Sequence, residues 1–318
     1  MVKEEQAIRN YLICDGGGTK TEFVLFDQKG KILSIYFGEG SNALFIHENR
    51  AVESVATGIM TCLERSSLEL QAIEHIVLFI PGFYSCLPVL VQMLGFASIS
   101  LLSDEENALY GALGKRPGIV VLSGTGSFAV GRSIQGEKVV VGGWGPLIGD
   151  QGSGYHIGIM ALSCIARRYD EGKSNSKLSS LICDRLEVDN VQLLRRRIYT
   201  PSFSRAEIAS LSIVVEKAAK EGDPDACLVI DNAAKELADM ALVVAQRLND
   251  EEPQVVLIGG IANMGDLISI PFARYVHERL PGAVIIPCRF SPTQGAMLYV
   301  LDTYEHLDST ELDSVFNN

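Results

Sequence analysis

Two stretches of this chain follow one plan. Residues 12–40, LICDGGGTKTEFVLFDQKGKILSIYFGEG, and residues 118–145, GIVVLSGTGSFAVGRSIQGEKVVVGGWG, each read as an apolar strand and a glycine-rich turn, then an alternating strand, a charged turn and a third strand. Both third strands leave through glycines. The charged turns, QKGK and QGEK, and the exits, FGEG and GGWG, fall at similar distances. A chain that carries this plan twice is constrained to build the same antiparallel meander twice. At 318 residues it also exceeds the size at which a single core keeps growing. Two related α/β domains facing each other across a cleft are therefore expected.

The rest of the chain completes each meander with alternating helices and strands. In the first half, helical spacing covers 47–66 and 87–95, HIVLFI (75–80) and SISLLS (98–103) read as buried strands, and DEENALYGAL (104–113) reads as a helix. In the second half, a helical region over about 151–249 leads to the strand QVVLIGGIA, a helix, the strand AVIIP and a last helix from about 292. Each half thus predicts a mixed sheet flanked by helices. The end, LDSTELDSVFNN, reads as a frayed tail.

Three consecutive glycines cost backbone entropy, so DGGGTKT needs a reason for its bare main chain. A strand that ends in such a turn presents N–H groups with no side chain in the way, which is how proteins approach a phosphate chain. DGGGTKT in one half and LSGTGS in the other could grip one polyphosphate between them. The competing reading makes each cluster a tight hairpin turn. No GxxxxGK[ST] motif occurs, and each glycine turn leads into a strand, so the grip is of a hairpin type distinct from a helix-dipole type.

Composition narrows the function classes. The net charge of −12 opposes nucleic acid, whose phosphates demand clustered Lys and Arg; the RRR at 195–197 is short. No apolar run approaches the roughly eighteen residues of a membrane span, and MVKEEQAIRN lacks the pattern of a signal peptide, so the chain is expected to stay in the cytoplasm. The seven cysteines (14, 62, 86, 164, 183, 227 and 288) are scattered in apolar context without metal-ligand spacing and read as buried, reduced thiols.

DGGGTKTEFVLFD, LSGTGS, GGWGPLIGDQGSGYHIG, AEIASLSIVVEKAAKEGDP and VVLIGGIANMGDLI, in that order, resemble the BadF/BadG/BcrA/BcrD ATPase family, in particular its N-acetylglucosamine kinase branch, within the actin, sugar kinase and Hsp70 ATPase superfamily. The resemblance covers Leu12 to about Leu301. It implies two ribonuclease H-like (actin-like ATPase) domains with mixed β-sheets flanked by helices and a cleft between them. The first spans 1–114, with the C-terminal helix (about 295–318) packing back on it, and the second spans 115–294 with the helical insertion at 151–249. It also implies ATP and Mg2+ as cofactors, a small-molecule sugar as substrate and a homodimer as the assembly.

By position, the resemblance places Gly17, Gly18, Thr19 and Lys20 at the β- and γ-phosphates, Asp15 toward the water shell of magnesium, and Gly124, Thr125 and Gly126 on the other side of the phosphates. Gly259 and Gly260 would let main chain run against the nucleoside. Asn42 matches the position at which similar kinases offer an amide to sugar hydroxyls; Ser127 and Phe128 would lie near the 2-substituent. With Gly143, Trp144, Gly145 and Asp150 they would complete a sugar site, since a hydroxyl-rich ring with apolar faces calls for an amide, a flat ring and a carboxylate. A lone tryptophan is otherwise a core residue.

Asp104 opens a helix directly after a strand and is the candidate catalytic base, which would also touch the sugar. Its other reading is a helix start, with Ser103 or Asp104 as N-cap and Glu105 and Glu106 favouring the dipole. His156 reads as a hydrogen-bonded or packed side chain.

The implied activity is transfer of the γ-phosphoryl group of ATP to a hydroxyl, O6, of an amino sugar, with N-acetylglucosamine ahead of glucosamine and N-acetylmuramic acid. The alternatives are an ATPase activator, which would need ligating cysteines, and a sugar-sensing regulator of the same fold.

Overall fold

The computed structural model describes residues 8–17, 20–43 and 46–316. They divide into two units: the chain up to Arg116 together with everything from Arg289 onward forms unit 1, and Pro117–Cys288 forms unit 2.

In unit 1, β1 (Asn10–Gly16), β2 (Lys20–Asp27) and β3 (Ile32–Glu39) form the expected meander, followed by α1 (Glu48–Ser66), β4 (Ile73–Phe79), α2 (Leu87–Leu94), β5 (Ile99–Leu102) and α3 (Asp104–Leu113). The sheet order is β3-β2-β1-β4-β5, antiparallel across the meander and parallel from β1 through β4 to β5.

Unit 2 repeats the arrangement. Its meander is β6 (Gly118–Ser123), β7 (Ser127–Arg132) and β8 (Lys138–Gly142); the helices α4 (Gly154–Asp170), α5 (Lys177–Leu186), α6 (Val191–Ile198), α7 (Arg205–Lys220) and α8 (Pro224–Leu248) follow, then β9 (Gln254–Ile258), α9 (Asp266–Arg279) and β10 (Val284–Ile285). The order β10-β9-β6-β7-β8 is the unit 1 order read from the other end, with the same parallel and antiparallel joints. Two mixed five-stranded sheets flanked by helices are the arrangement that the resemblance implied.

The apolar run of β1 is explained by its two covered faces. Side chains alternate across a strand. Leu12 and Cys14 accordingly point into one core with Phe23, Leu25, Ile76 and Leu78, beneath α1 and α2. Tyr11 and Ile13 point into the opposite core with Val24, Phe26, Val77 and Phe79. That second face is closed by α10 (Pro292–Glu305) and α11 (Ser309–Ser314), which return to unit 1 after the whole of unit 2.

The expected frayed tail is corrected here. Residues 309–314 are helical, Leu312 is buried in the second core, and Asp313 pairs with Arg116 and Arg289, each at 2.9 Å. Apolar surface on the sheet needed cover, and Leu312 supplies part of it. The long α8 packs as core across β6, β7 and β8. The cysteine expectation also needs amending: Cys14, Cys62, Cys86 and Cys183 are buried, but Cys227 and Cys288 are exposed. Among the described residues, no helix is long and apolar enough to cross a membrane.

The crossing of α3 and α10 has almost no spare room. A Cβ placed on Gly295 would lie 2.4 Å from the Gly111 nitrogen and 2.9 Å from the Asn107 carbonyl oxygen, so the helices touch backbone to backbone. Gly295→Ala should therefore separate them and destabilise the protein by about 1–3 kcal/mol, as overpacking does, read as a lower midpoint in urea unfolding.

Candidate functional site

Unit 1 gathers carboxylates at one edge of its sheet. Asp15 sits at the C-terminal end of β1, and Asp104 is the first residue of α3, two residues beyond β5. Because β1, β4 and β5 run parallel, both lie at the carboxyl edge of the sheet, where open α/β sheets place their ligands. The hairpin register sets Glu22 of β2 directly across from Asp15. Ser103 occupies the N-cap position of α3 but makes no side-chain cap bond, and Asp104, Glu105 and Glu106 fill the first turn.

These groups perturb one another. Burial, then repulsion from Asp15 and Glu105, pushes the Asp104 carboxyl up to about 7. Burial and repulsion from Glu22 push Asp15 to about 6, against the pull of a hydrogen bond from Asn107 and the charge of Lys20. A helix N-terminus ordinarily favours the ionised form; here desolvation and like charge win. Glu105 buries one carboxylate oxygen with no hydrogen-bond partner among the described residues.

The first glycine turn is tied to the segment that carries Asn42. The Gly17 carbonyl accepts the N–H groups of Ser41 and Asn42 at 3.0 and 3.2 Å, while the Gly17 N–H donates to the Lys20 carbonyl. Thr21 donates to the Ser41 hydroxyl at 2.7 Å. A side chain at Gly16 would strike that hydroxyl at 2.2 Å, so the close approach of the two segments requires glycine. The outcome places Asn42, buried, against the turn that begins beside Asp15. Lys20 is exposed, with its ammonium 5.9 Å from the Phe37 ring centroid. Gly18 and Thr19 lie outside the described residues.

In unit 2 the turn Gly124–Gly126 stands at the end of β6. It is pinned from below: the Gly154 N–H at the start of α4 donates to the Gly124 carbonyl at 2.8 Å, and Tyr155 donates to that of Thr125. Ser127 is buried and donates through its hydroxyl to the Gln151 carbonyl at 2.6 Å; Phe128 follows it, half-buried, on β7. Gly259, just past β9, has φ +97°, and a Cβ there would meet the Ser123 carbonyl oxygen at 2.4 Å. The second and third glycine motifs are therefore packed backbone against backbone. Gly260 beside it has open space where its side chain would be.

Trp144 is 73% exposed, with Leu147 and Ile148 exposed beside it in the loop after β8. The core reading of the tryptophan is thereby excluded, and Gly143 and Gly145 flank it with φ of +72° and +81°. Asp150, the carboxylate expected to contribute to the sugar site, is engaged within the protein. It is only 3% exposed, holds Arg205 Nη2 at 2.5 Å, and accepts the Ser127 N–H at 3.3 Å. A buried carboxylate must be paired, and Arg205 is its partner. His156 accepts the Gly152 N–H on Nδ1 at 3.0 Å, the hydrogen-bonded role read from its sequence position.

Sequence reasoning missed three residues near these sites. Glu22 was findable from the hairpin, because a turn after Asp15 brings a residue on the next strand directly opposite. Asn107 lies three residues after Asp104 on the same helix face, a spacing that also pointed to it. Arg205, fifty-five residues from Asp150, left no local signal. A groove of about 990 Å³ on unit 1, lined by Met60, Leu68, Met93 and Leu94 among others, contains none of the site residues.

A family model for the BadF/BadG/BcrA/BcrD ATPase family matches residues 14–300, and an N-acetylmuramic acid/N-acetylglucosamine kinase of Clostridium acetobutylicum is 31% identical over 292 residues, covering 89% of this chain and 95% of the relative. The chain belongs to the BadF/BadG/BcrA/BcrD ATPase family. Another relative is an N-acetyl-D-glucosamine kinase of Dictyostelium discoideum, 27% identical over 91% of this chain and 97% of the relative. The solved structure of a candidate N-acetylglucosamine kinase from Chromobacterium violaceum superposes with a TM-score of 0.73 at 25% identity, over 93% of this chain and all of the other. A ROK family glucokinase from Streptomyces griseus shares the fold at a TM-score of 0.57 and 14% identity, over 94% of this chain and all of the other.

The raised Asp104 pKa has a thermodynamic consequence. The folded state holds this proton to about pH 7 whereas the unfolded state releases it near 4, so the cost of an ionised Asp104 grows between those values and is fully present above them. Asp104→Asn should stabilise the protein by about 1–3 kcal/mol at pH 8, allowing for partial exposure and coupling, and by nothing measurable near pH 4. Thermal unfolding of both proteins at the two pH values checks this.

Proposed function

We propose that this ATPase-family chain is an ATP-dependent amino-sugar kinase that transfers the γ-phosphoryl group to a hydroxyl, O6, of N-acetylglucosamine. One observation carries the reading: a half-buried carboxyl, Asp104, opens a helix at the carboxyl edge of the unit 1 sheet with its pKa raised to about 7, as a group that must accept a proton at neutral pH requires. The kinase names of the Clostridium acetobutylicum and Dictyostelium discoideum relatives support it.

Phosphoryl transfer demands mainly alignment and neutralisation of charge, since its transition state is loose. In this reading the Gly17 to Lys20 turn of unit 1 and the Gly124–Gly126 turn of unit 2 hold the phosphates, and the main chain at Gly259 and Gly260 borders the nucleoside. Asn42, Ser127, Phe128 and Trp144, with Gly143 and Gly145, would bind the sugar. Asp104 accepts the O6 proton as the phosphorus–O6 bond forms and the bond to the β-phosphate oxygen breaks, releasing ADP. Asp15 keeps Asp104 basic by repulsion.

The residues suit a phosphate-bound magnesium ion better than a protein cage. Among the described residues, no cluster of three or more His, Cys, Asp or Glu could ligate a metal. Asp15, crowded by Glu22, would instead gain from a cation held through water, a common arrangement for Mg2+ at phosphate sites. Bound there, the ion would neutralise charge on the phosphates.

A coupled assay of ADP release across N-acetylglucosamine, glucosamine and N-acetylmuramic acid, with and without EDTA, tests the proposal. Release that depends on N-acetylglucosamine and stops with EDTA is expected; release indifferent to any sugar would end the kinase reading. Asp104→Asn should lower kcat by roughly 10²–10⁴-fold while ATP still binds, and the unaltered kcat/KM should fall on the acid side of about pH 7.

A further inference from the structure

The ion pair of Asp150 and Arg205 stands at the second glycine turn. Both oxygens of Asp150 lie 3.0 Å, and Arg205 Nη2 lies 2.8 Å, from the point a Gly126 Cβ would occupy. One Asp150 oxygen takes the Ser127 N–H, and the other takes Arg205. Asp150 adopts this position at φ +60°, a backbone conformation that costs energy for a residue with a side chain and persists where surrounding contacts enforce it.

The turn itself is open on its other side. The Gly124 N–H is spent on the Gly126 carbonyl and the Ser127 N–H on Asp150. Among the described residues, the Thr125 and Gly126 N–H groups meet no acceptor, and Thr125 is exposed. Two adjacent unspent donors suit an anion. A bare carboxylate at Gly126 opposes one, because like charges a few ångströms apart repel strongly away from bulk water. The same carboxylate is nevertheless needed to hold Ser127.

Resting on the kinase reading above, we propose that Arg205 is a positioning residue for ATP: by neutralising Asp150 it lets an acidic clamp shape the Gly124–Ser127 turn without repelling the phosphates that the turn receives. Arg205 is well placed to stay put. It is the first residue of α7, behind the N-cap Ser204 and the capping box that Ser204 forms with Glu207. The whole device belongs to unit 2, from the turn to the helix that supplies the charge.

The test is calorimetric titration of the full chain with ATP and ADP in the presence of magnesium. Arg205→Met should weaken ATP by roughly tenfold or more, and ADP less, because it leaves a lone carboxylate facing phosphate. Adding Asp150→Asn to Arg205→Met should bring ATP affinity back to within about threefold of the unaltered protein, since the repelling charge is gone while an amide oxygen can still accept the Ser127 N–H. Arg205→Lys, which keeps the charge, should fall between.

If Arg205→Met binds ATP as the unaltered protein does, the role is overturned. It is equally overturned if the double variant stays as weak as the single one, which would make Arg205 a mechanical clamp. Should Arg205→Met fail to fold, comparison of the double variant with Arg205→Lys makes the same decision, because neither leaves an unpaired buried carboxylate. A protein that takes up no nucleotide in unaltered form would instead refute the kinase reading.

Discussion

A sheet whose central strand is apolar on both faces cannot be satisfied by one layer of helices. In unit 1 this constraint governs the rest of the arrangement. Helices α1 and α2 cover one face, and the other is covered by α3 with α10 and α11, the last two of which arrive only after unit 2 is complete. Helix α10 then fixes α3 through the glycine contact of Gly295 with Gly111, and α3 carries Asp104 and Asn107 to the carboxyl edge. The position of the candidate base is thus set by packing on the far side of the sheet, through a contact that tolerates no added atom.

The carboxylate edge shows the opposite balance of forces. Nothing about the stability of unit 1 benefits from placing Asp104 against Asp15 with Glu22 and Glu105 nearby; Glu22 raises the cost of ionising Asp15, and Asp15 and Glu105 raise that of ionising Asp104. Natural proteins keep such conflicts mainly where chemistry uses them. Unit 2 handles a comparable problem differently. There the buried carboxylate, Asp150, is matched by Arg205 at 2.5 Å. One acid is crowded by like charge and the other is paired with an arginine.

Much of this was legible in the sequence because it is local or repetitive. The two meanders, their glycine turns and the order of the later strands came from periodicity and turn chemistry, and the structure returns them as two sheets of identical connectivity. The second face of the unit 1 sheet was harder to read. Residues 307–316 are polar enough to resemble a tail, and Leu312 in its buried place, with Leu307, Val315 and Phe316 packed against the same core, shows that they close it. The state of Asp150 was not readable at all: a carboxylate in a glycine-rich loop looks available until a partner fifty-five residues away is brought beside it. Trp144 went the other way, since its glycine neighbours hold it out where a solitary tryptophan would be expected inside.

The interrupted course of unit 1 also bears on the order in which the molecule assembles. As the chain leaves the ribosome, its first 116 residues emerge with one side of their sheet still lacking α10 and α11. Unit 2 is continuous and can close as soon as its own residues are out. Until residues 289–318 follow, the nascent first unit exposes Tyr11, Ile13, Val24 and Phe26 to solvent or to chaperones. The later-made half of this protein is therefore free to finish folding first, and the earlier-made half has to wait for it.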